Sequence, residues 1–191
     1  MDTKLTREAL APLRMPHAHR AIDLDWCDIE AYLSREAEVG FCLTPDYQRG
    51  RVWSEAQKIA YVEHVLLGGE TARDVMVVIV GRSEDDYVHG RNGSISLRGY
   101  SMLDGLQRVS AVREFIRDEF AVLPSLRDGG FKWSQLDRIV QRRDLTFRWR
   151  TVVVPTQADV LKLYIRLNSG GTPHTAEEIE RVRALLRGSA T

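Results

Sequence analysis

Three short segments of this sequence carry side chains suited to handling a phosphate group. The first is Pro45-Asp46-Tyr47-Gln48-Arg49, followed closely by Arg51 and Trp53. Guanidinium groups at Arg49 and Arg51 can fork onto phosphate oxygens while the Gln48 amide adds a hydrogen bond. Equally, Tyr47 and Trp53 can be core aromatics with both arginines in solvent. The second segment is Asp104-Gly105-Leu106-Gln107-Arg108. Where a strand turns into a helix, the first backbone N–H groups are free and the macrodipole is positive, so an anion can dock there, Gly105 lets it approach and Arg108 adds a fork. In that setting Asp104 can hold a divalent cation such as Mg²⁺ against the phosphates, and Gln107 can orient an attacking water. An Asp three residues ahead of a Gln also suits an ordinary helix cap, which is a purely architectural reading of the same residues. The third segment, Asn168-Ser169-Gly170-Gly171-Thr172-Pro173, can form an anion-binding nest from successive backbone N–H groups, or can simply join two helices through glycines at positive φ.

Little else in the chain suggests chemistry. His17, His19, His64, His89 and His174 are scattered and complete no Ser-His-Asp or Cys-His arrangement, although His174 borders the Gly-Gly loop. Cys27 and Cys42 are too few for a disulfide framework and have no zinc-ligand spacing around them, so both are expected to be buried free thiols in a reducing cytoplasm. Lys and Arg total 27 against 27 Asp and Glu, which gives no bulk positive field for non-specific attachment to DNA or membrane. Of those bases 23 are Arg and 4 are Lys, a skew that suits planar recognition of phosphate but that a GC-rich genome also produces. No apolar run reaches the roughly 20 residues of a membrane span, and the N-terminal stretch lacks the apolar segment of a signal peptide. A cytoplasmic protein with no membrane partner is expected.

The elements that must position these segments follow from periodicity. With 191 residues and 43% hydrophobic content the chain suits one compact domain, expected over residues 21–191 behind a flexible N-terminal arm over residues 1–20. Apolar residues at three- and four-residue steps from Ile22 predict one helix from Ile22 to Val39, ending at Gly40. A short strand follows at Phe41 to Leu43. Ser54-Glu55-Ala56-Gln57 has capping-box form and opens a helix that stops at Gly68-Gly69. Val75 to Val80 reads as a strand covered on both faces, and Ile95 to Leu103 reads as a second strand paired with it. Leu106, Val109, Val112 and Ile116 make a helical stripe directly after Asp104. A short helix is expected from Ser134, a strand from Leu145 to Val154 in which Phe147 and Trp149 alternate with Arg148 and Arg150, and a helix from Gln157 to Leu167. Thr175-Ala176-Glu177-Glu178 is a second capping box opening a final helix to about Leu186. Helices and strands interleave irregularly, which predicts an α+β fold: a small mixed sheet with packed helices.

Taken in order, Pro-Asp-Tyr-Gln-Arg with its Trp, Asp-Gly-Leu-Gln-Arg after a strand, and Leu-Asn-Ser-Gly-Gly-Thr-Pro before a helix resemble one family. The chain is similar from about Phe41 to Arg183 to the N-terminal domain of GmrSD-type modification-dependent restriction enzymes, the DGQQR-motif domain of the ParB/sulfiredoxin-like superfamily. The resemblance implies a ParB/sulfiredoxin-like fold with a nucleotide or nucleic-acid phosphate site. It places Asp104, Gln107, Arg108 and Arg49 in catalytic roles, with Asp104 as ligand to Mg²⁺ or another divalent cation. It assigns phosphate or nucleotide binding to Tyr47, Gln48, Arg49, Gly105, Arg108, Asn168, Gly170, Gly171 and Thr172. Two positions depart from the pattern: Leu106 stands where the family has its first motif glutamine, and His174 stands where it has an apolar residue. The chain ends at Thr191 without the His-Asn-His nuclease of restriction relatives, so a nuclease is expected on a separate chain. The resulting expectation is a metal-dependent nucleoside triphosphatase linked to DNA restriction, phage defence or counter-defence. The alternatives are a non-catalytic module that senses DNA or a nucleotide for a separate nuclease, and a ParB-like DNA nickase or small-molecule kinase.

Overall fold

Period-two alternation of apolar residues builds a four-stranded sheet in the computed structural model, which describes residues 20–48, 50, 52–81, 87–89, 95–97, 99–168 and 176–188. In chain order the elements are β1 (Arg20–Asp25), a 3-10 turn (Trp26–Asp28), α1 (Ile29–Glu38), α2 (Glu55–Leu66), β2 (Asp74–Val80), β3 (Tyr87–His89), β4 (Ile95–Leu97), β5 (Ser101–Asp104) and α3 (Leu106–Ile116). A 3-10 turn (Trp133–Gln135), a π turn (Val140–Asp144), β6 (Thr146–Val154), α4 (Gln157–Asn168) and α5 (Ala176–Gly188) complete them. The sheet order is β1-β6-β2-β5, with β1/β6 and β2/β5 antiparallel and β6/β2 parallel, while β3 and β4 form a separate hairpin. The fold is therefore α+β, a mixed sheet with packed helices.

Alternation along the two central strands sends side chains into two cores. Val75, Val77, Phe147 and Trp149 face α1, α2 and α3, packing with Ile29, Val62, Val65, Val109, Val112 and Phe115. Val78, Val152 and Val154 face the other way, onto α4 through Val160, Leu161 and Tyr164, with Val182 of α5 and Tyr47 beside them. Register extends that second face upstream: Val80 lies opposite Val154, Val78 opposite Val152, Met76 opposite Arg150 and Asp74 opposite Arg148. One half of this face is apolar under α4; the other half is charged.

Local signals place α2 where expected. The Gln57 N–H donates to Ser54 Oγ at 3.4 Å and the Ser54 N–H to Gln57 Oε1 at 2.9 Å, a reciprocal cap that meets two orphan donors. Other expectations need correction. The single helix from Ile22 to Val39 is instead a strand, a turn and a shorter helix, because Ile22 and Leu24 alternate with Asp23 and Asp25 and pair with β6 in register Ile22↔Trp149 and Leu24↔Phe147. Sheet pairing overrides the three- and four-residue spacing there. Arg20, the last residue of the expected arm, opens β1; the rest of that arm lies outside the described residues. The strand from Ile95 to Leu103 is broken at Gly99, where φ is +63°, so that only β5 pairs with β2. At Phe41 to Leu43 the strand reduces to one parallel bridge, Cys42 to Ser101. The short helix expected from Ser134 is a single 3-10 turn that begins at Trp133. Cys42 is exposed and Cys27 half-buried, so the thiols are free but not core residues. Among the described residues no helix is long and apolar enough to cross a membrane.

Candidate functional site

The second motif sits where β5 gives way to α3, and its geometry begins with a bulge. Val77 pairs with Met102 and Met76 with Asp104, which leaves Leu103 without an opposite residue and re-aims Asp104 at the strand end. Gly105 follows at φ +106°, and a Cβ there would meet both Val75 γ-carbons at 3.1 and 3.2 Å and its Cα at 3.3 Å. Left-handed backbone and close approach to β2 both require glycine. Gly105 is also the N-cap of α3 and no side chain caps the helix, so Asp104 is not the helix cap that its spacing permits. Its carboxylate accepts from Arg108 Nη2 at 2.9 Å, while Arg108 Nη1 donates to the Asp74 carbonyl oxygen.

Leu106 is 3% exposed and packs in the larger core, where its burial contributes about 2 kcal/mol. The position at which the motif differs from that of the resembled family is thus a core side chain in this protein. Gln107 turns outward to the first motif. Its Oε1 accepts from the N–H groups of Val52 at 3.0 Å and Trp53 at 3.3 Å, and its Nε2 donates to the Gly50 carbonyl at 2.9 Å. The carboxamide acts as a surrogate peptide group for a loop that has no strand beside it.

Residues of the first motif close on β5 from the other side. The Tyr47 hydroxyl donates to the Met102 carbonyl at 2.7 Å and lies 2.9 Å from Ser101 Oγ. A phenol has one proton to give, so the Ser101 hydroxyl is the donor in the second contact. Gln48 Nε2 donates to the same Met102 carbonyl at 2.8 Å, filling both lone pairs of one oxygen. Burial pushes the Tyr47 phenol well above its ordinary range, so it stays protonated and cannot serve as a base near neutral pH. The Tyr47 ring meets Tyr164 of α4 edge-on at 5.2 Å, and Arg181 of α5 donates to the Gln48 carbonyl at 3.1 Å. Asn168, at the end of α4, donates to the Tyr164 carbonyl at 2.8 Å. The structure therefore gathers Tyr47, Gln48, Asp104, Gly105, Gln107 and Arg108 around the end of β5. Arg49, Gly170, Gly171, Thr172 and His174 lie outside the described residues.

Three charged residues beside this cluster were not flagged by the motifs. Arg150 Nε lies 3.1 Å and Arg148 Nη1 3.8 Å from Asp74 Oδ1. The side-chain pattern of β6 shows both arginines alternating with Phe147 and Trp149; what no local pattern shows is that Asp74 stands opposite Arg148 in the parallel pair, within reach of Arg150. Two carboxylates, Asp74 and Asp104, face three guanidinium groups, Arg108, Arg148 and Arg150. Guanidinium groups in such a set are suited to hydrogen-bonding an anion. A separate group, Asp25, Cys27 and Asp28, brings three possible metal donors within 4.8 Å of one another on the turn before α1. Burial, then the Asp28 and Asp25 charges, push the Cys27 thiol up, away from the thiolate a metal needs.

Compared with protein-family models, with curated proteins and with solved structures, the chain matches none.

Proposed function

We propose that this chain binds a nucleoside triphosphate at the end of β5 and acts as a sensing module for a separate nuclease chain. Its motif resemblance to GmrSD-type restriction N-terminal domains supplies the biological setting, DNA restriction or phage defence. The observation that carries the binding role over a hydrolytic one is the state of Gln107. Both lone pairs of its Oε1 are committed to Val52 and Trp53 and one Nε2 hydrogen to Gly50, so it is a clamp between motif and loop with no acceptor left to align an attacking water.

One observation favours a second reading, Mg²⁺-dependent triphosphate hydrolysis. The Asp104 side chain is 40% exposed and only its Oδ2 has a partner among the described residues, leaving Oδ1 for a cation. Mg²⁺ held by one or two carboxylates and by substrate phosphates fits this donor set, with Asp104 as the ligand. When bound it would neutralise charge on the phosphate oxygens.

Calorimetry and phosphate release with a panel of nucleoside triphosphates, with and without Mg²⁺, test both readings. The sensing reading expects saturable binding and no release. Release that disappears in Asp104→Asn would move the assignment to the hydrolase. Failure of every nucleotide to bind at millimolar concentration would remove both.

A further inference from the structure

We propose that the phosphate chain is gripped by Arg148 and Arg150 of β6 rather than by Arg108 of the motif, and that Asp74 is a built-in counter-charge which the phosphates displace. This rests on the nucleotide reading above and names the groups that would make it work.

The three guanidinium groups differ in how their donors are engaged. Arg108 has given one Nη to the Asp74 carbonyl and the other to Asp104. Arg148 and Arg150 have not done so. The Arg148 contact to Asp74 is too long for a hydrogen bond, and Arg150 approaches Asp74 through Nε alone, leaving both terminal nitrogens without a partner among the described residues. The 3.1 Å approach is also poorly angled, so Asp74 Oδ1, shut off from solvent between the arginines, accepts no hydrogen bond among the described residues. A guanidinium carries five N–H donors in a plane matched to phosphate oxygens, and here two such planes stand on one strand with almost all of them unspent.

Position argues the same way. β6 and β2 are the two central strands, and the face carrying Arg148, Arg150 and Asp74 is covered by α4 at its other half. The side chains of Arg148, Arg150 and Asp74 remain 44%, 37% and 41% exposed. Met76 stands in register between Arg150 on one side and Asp104 on the other. With neighbouring strands about 4.8 Å apart, that row is roughly 10 Å wide, the scale of one phosphate chain rather than a nucleic-acid backbone track. Asp74 meanwhile occupies the place a phosphate would take between the two forks.

Calorimetric titration with inorganic tripolyphosphate, with ATP and with a short DNA duplex tests this on the full chain. We expect Arg148→Ala/Arg150→Ala to weaken tripolyphosphate and ATP binding at least tenfold. Asp74→Asn, which keeps the carbonyl that holds Arg108, should tighten both several-fold and steepen their loss with salt. The Asp74→Asn result stands even if the double variant folds poorly. Asp74→Asn binding that is weaker than or equal to wild type, or a folded double variant that binds as wild type does, overturns the proposal while leaving the nucleotide reading intact. Wild type that binds ATP but not tripolyphosphate, or DNA alone, overturns it too. Wild type that binds none of the three removes the nucleotide reading, and this assignment with it.

Discussion

Glu30 and Asp74 each stand between two arginines, and the two clusters are built differently. Glu30 of α1 takes a two-pronged bond from Arg113, Nε to Oε1 and Nη2 to Oε2, both at 2.9 Å, and a third bond from Arg117 at 2.7 Å. Asp74 has Arg150 at a poor angle and Arg148 out of hydrogen-bonding range. In the first cluster the carboxylate is fully hydrogen-bonded, and it ties α1 to α3. The second is an ion pair without the hydrogen bonds that make such pairs strong. Matching charge alone therefore does not separate scaffold from site. What differs is whether the arginines are hydrogen-bonded to their carboxylate. Both clusters depend on α3, which carries Arg108 in its first turn and Arg113 in its last.

The largest expected effect removes the point on which both clusters hang. Gly105→Ala forces a side chain into left-handed backbone against Val75 and should cost about 1–3 kcal/mol of unfolding free energy in a denaturant titration. Gln107→Ala comes next: three hydrogen bonds to Gly50, Val52 and Trp53 disappear, at a cost of about 1–2 kcal/mol, and amide exchange at Val52 and Trp53 should quicken. The saturated cluster is tested by Glu30→Gln, which at 40% side-chain exposure should cost only about 0.5–1 kcal/mol and leave phosphate binding unchanged. Arg113's hydrogen bonds hold the Glu30 carboxyl below its ordinary value of 4.5, outweighing burial. Its contribution is thus present above about pH 4.5 and fades as pH falls through the depressed folded value; acid titration of Glu30→Gln should lack that component. The smallest stability effect belongs to Arg148→Ala and Arg150→Ala, each within about 0.5 kcal/mol of wild type in thermal unfolding. A loss above 2 kcal/mol would make the Asp74 cluster a scaffold like the Glu30 one.

Local order was legible from sequence wherever a side chain acts on its near neighbours. The Ser54 cap, the α3 stripe and the alternation of Phe147 and Trp149 all work within a few residues. β1 was misread because Ile22, Trp26 and Ile29 fit a helical period while the deciding partner, β6, lies more than a hundred residues away. The candidate site divides along the same line. Motif segments around Tyr47 and Asp104 announce themselves by residue type, and the structure brings them together. That their polar groups are spent on Met102, Gly50, Val52 and Trp53 follows only from tertiary placement. Asp74, Arg148 and Arg150 belong to no motif; strand register alone makes them neighbours.

That register has a consequence for the order in which the protein assembles. Asp74 and Arg148 stand opposite each other in a parallel pair although 74 positions separate them in the chain. Parallel pairing over such a separation is slow, because a long loop must close before any contact rewards it. During synthesis the β2/β5 antiparallel pair and α3 can form as soon as they emerge, whereas the arginine forks arrive only with β6. On a nascent chain the segment of the motif helix is therefore complete before Arg148 and Arg150 have been made. A phosphate ligand that needs Arg148 and Arg150 binds only the finished sheet, and by mass action stabilises that state against every earlier one.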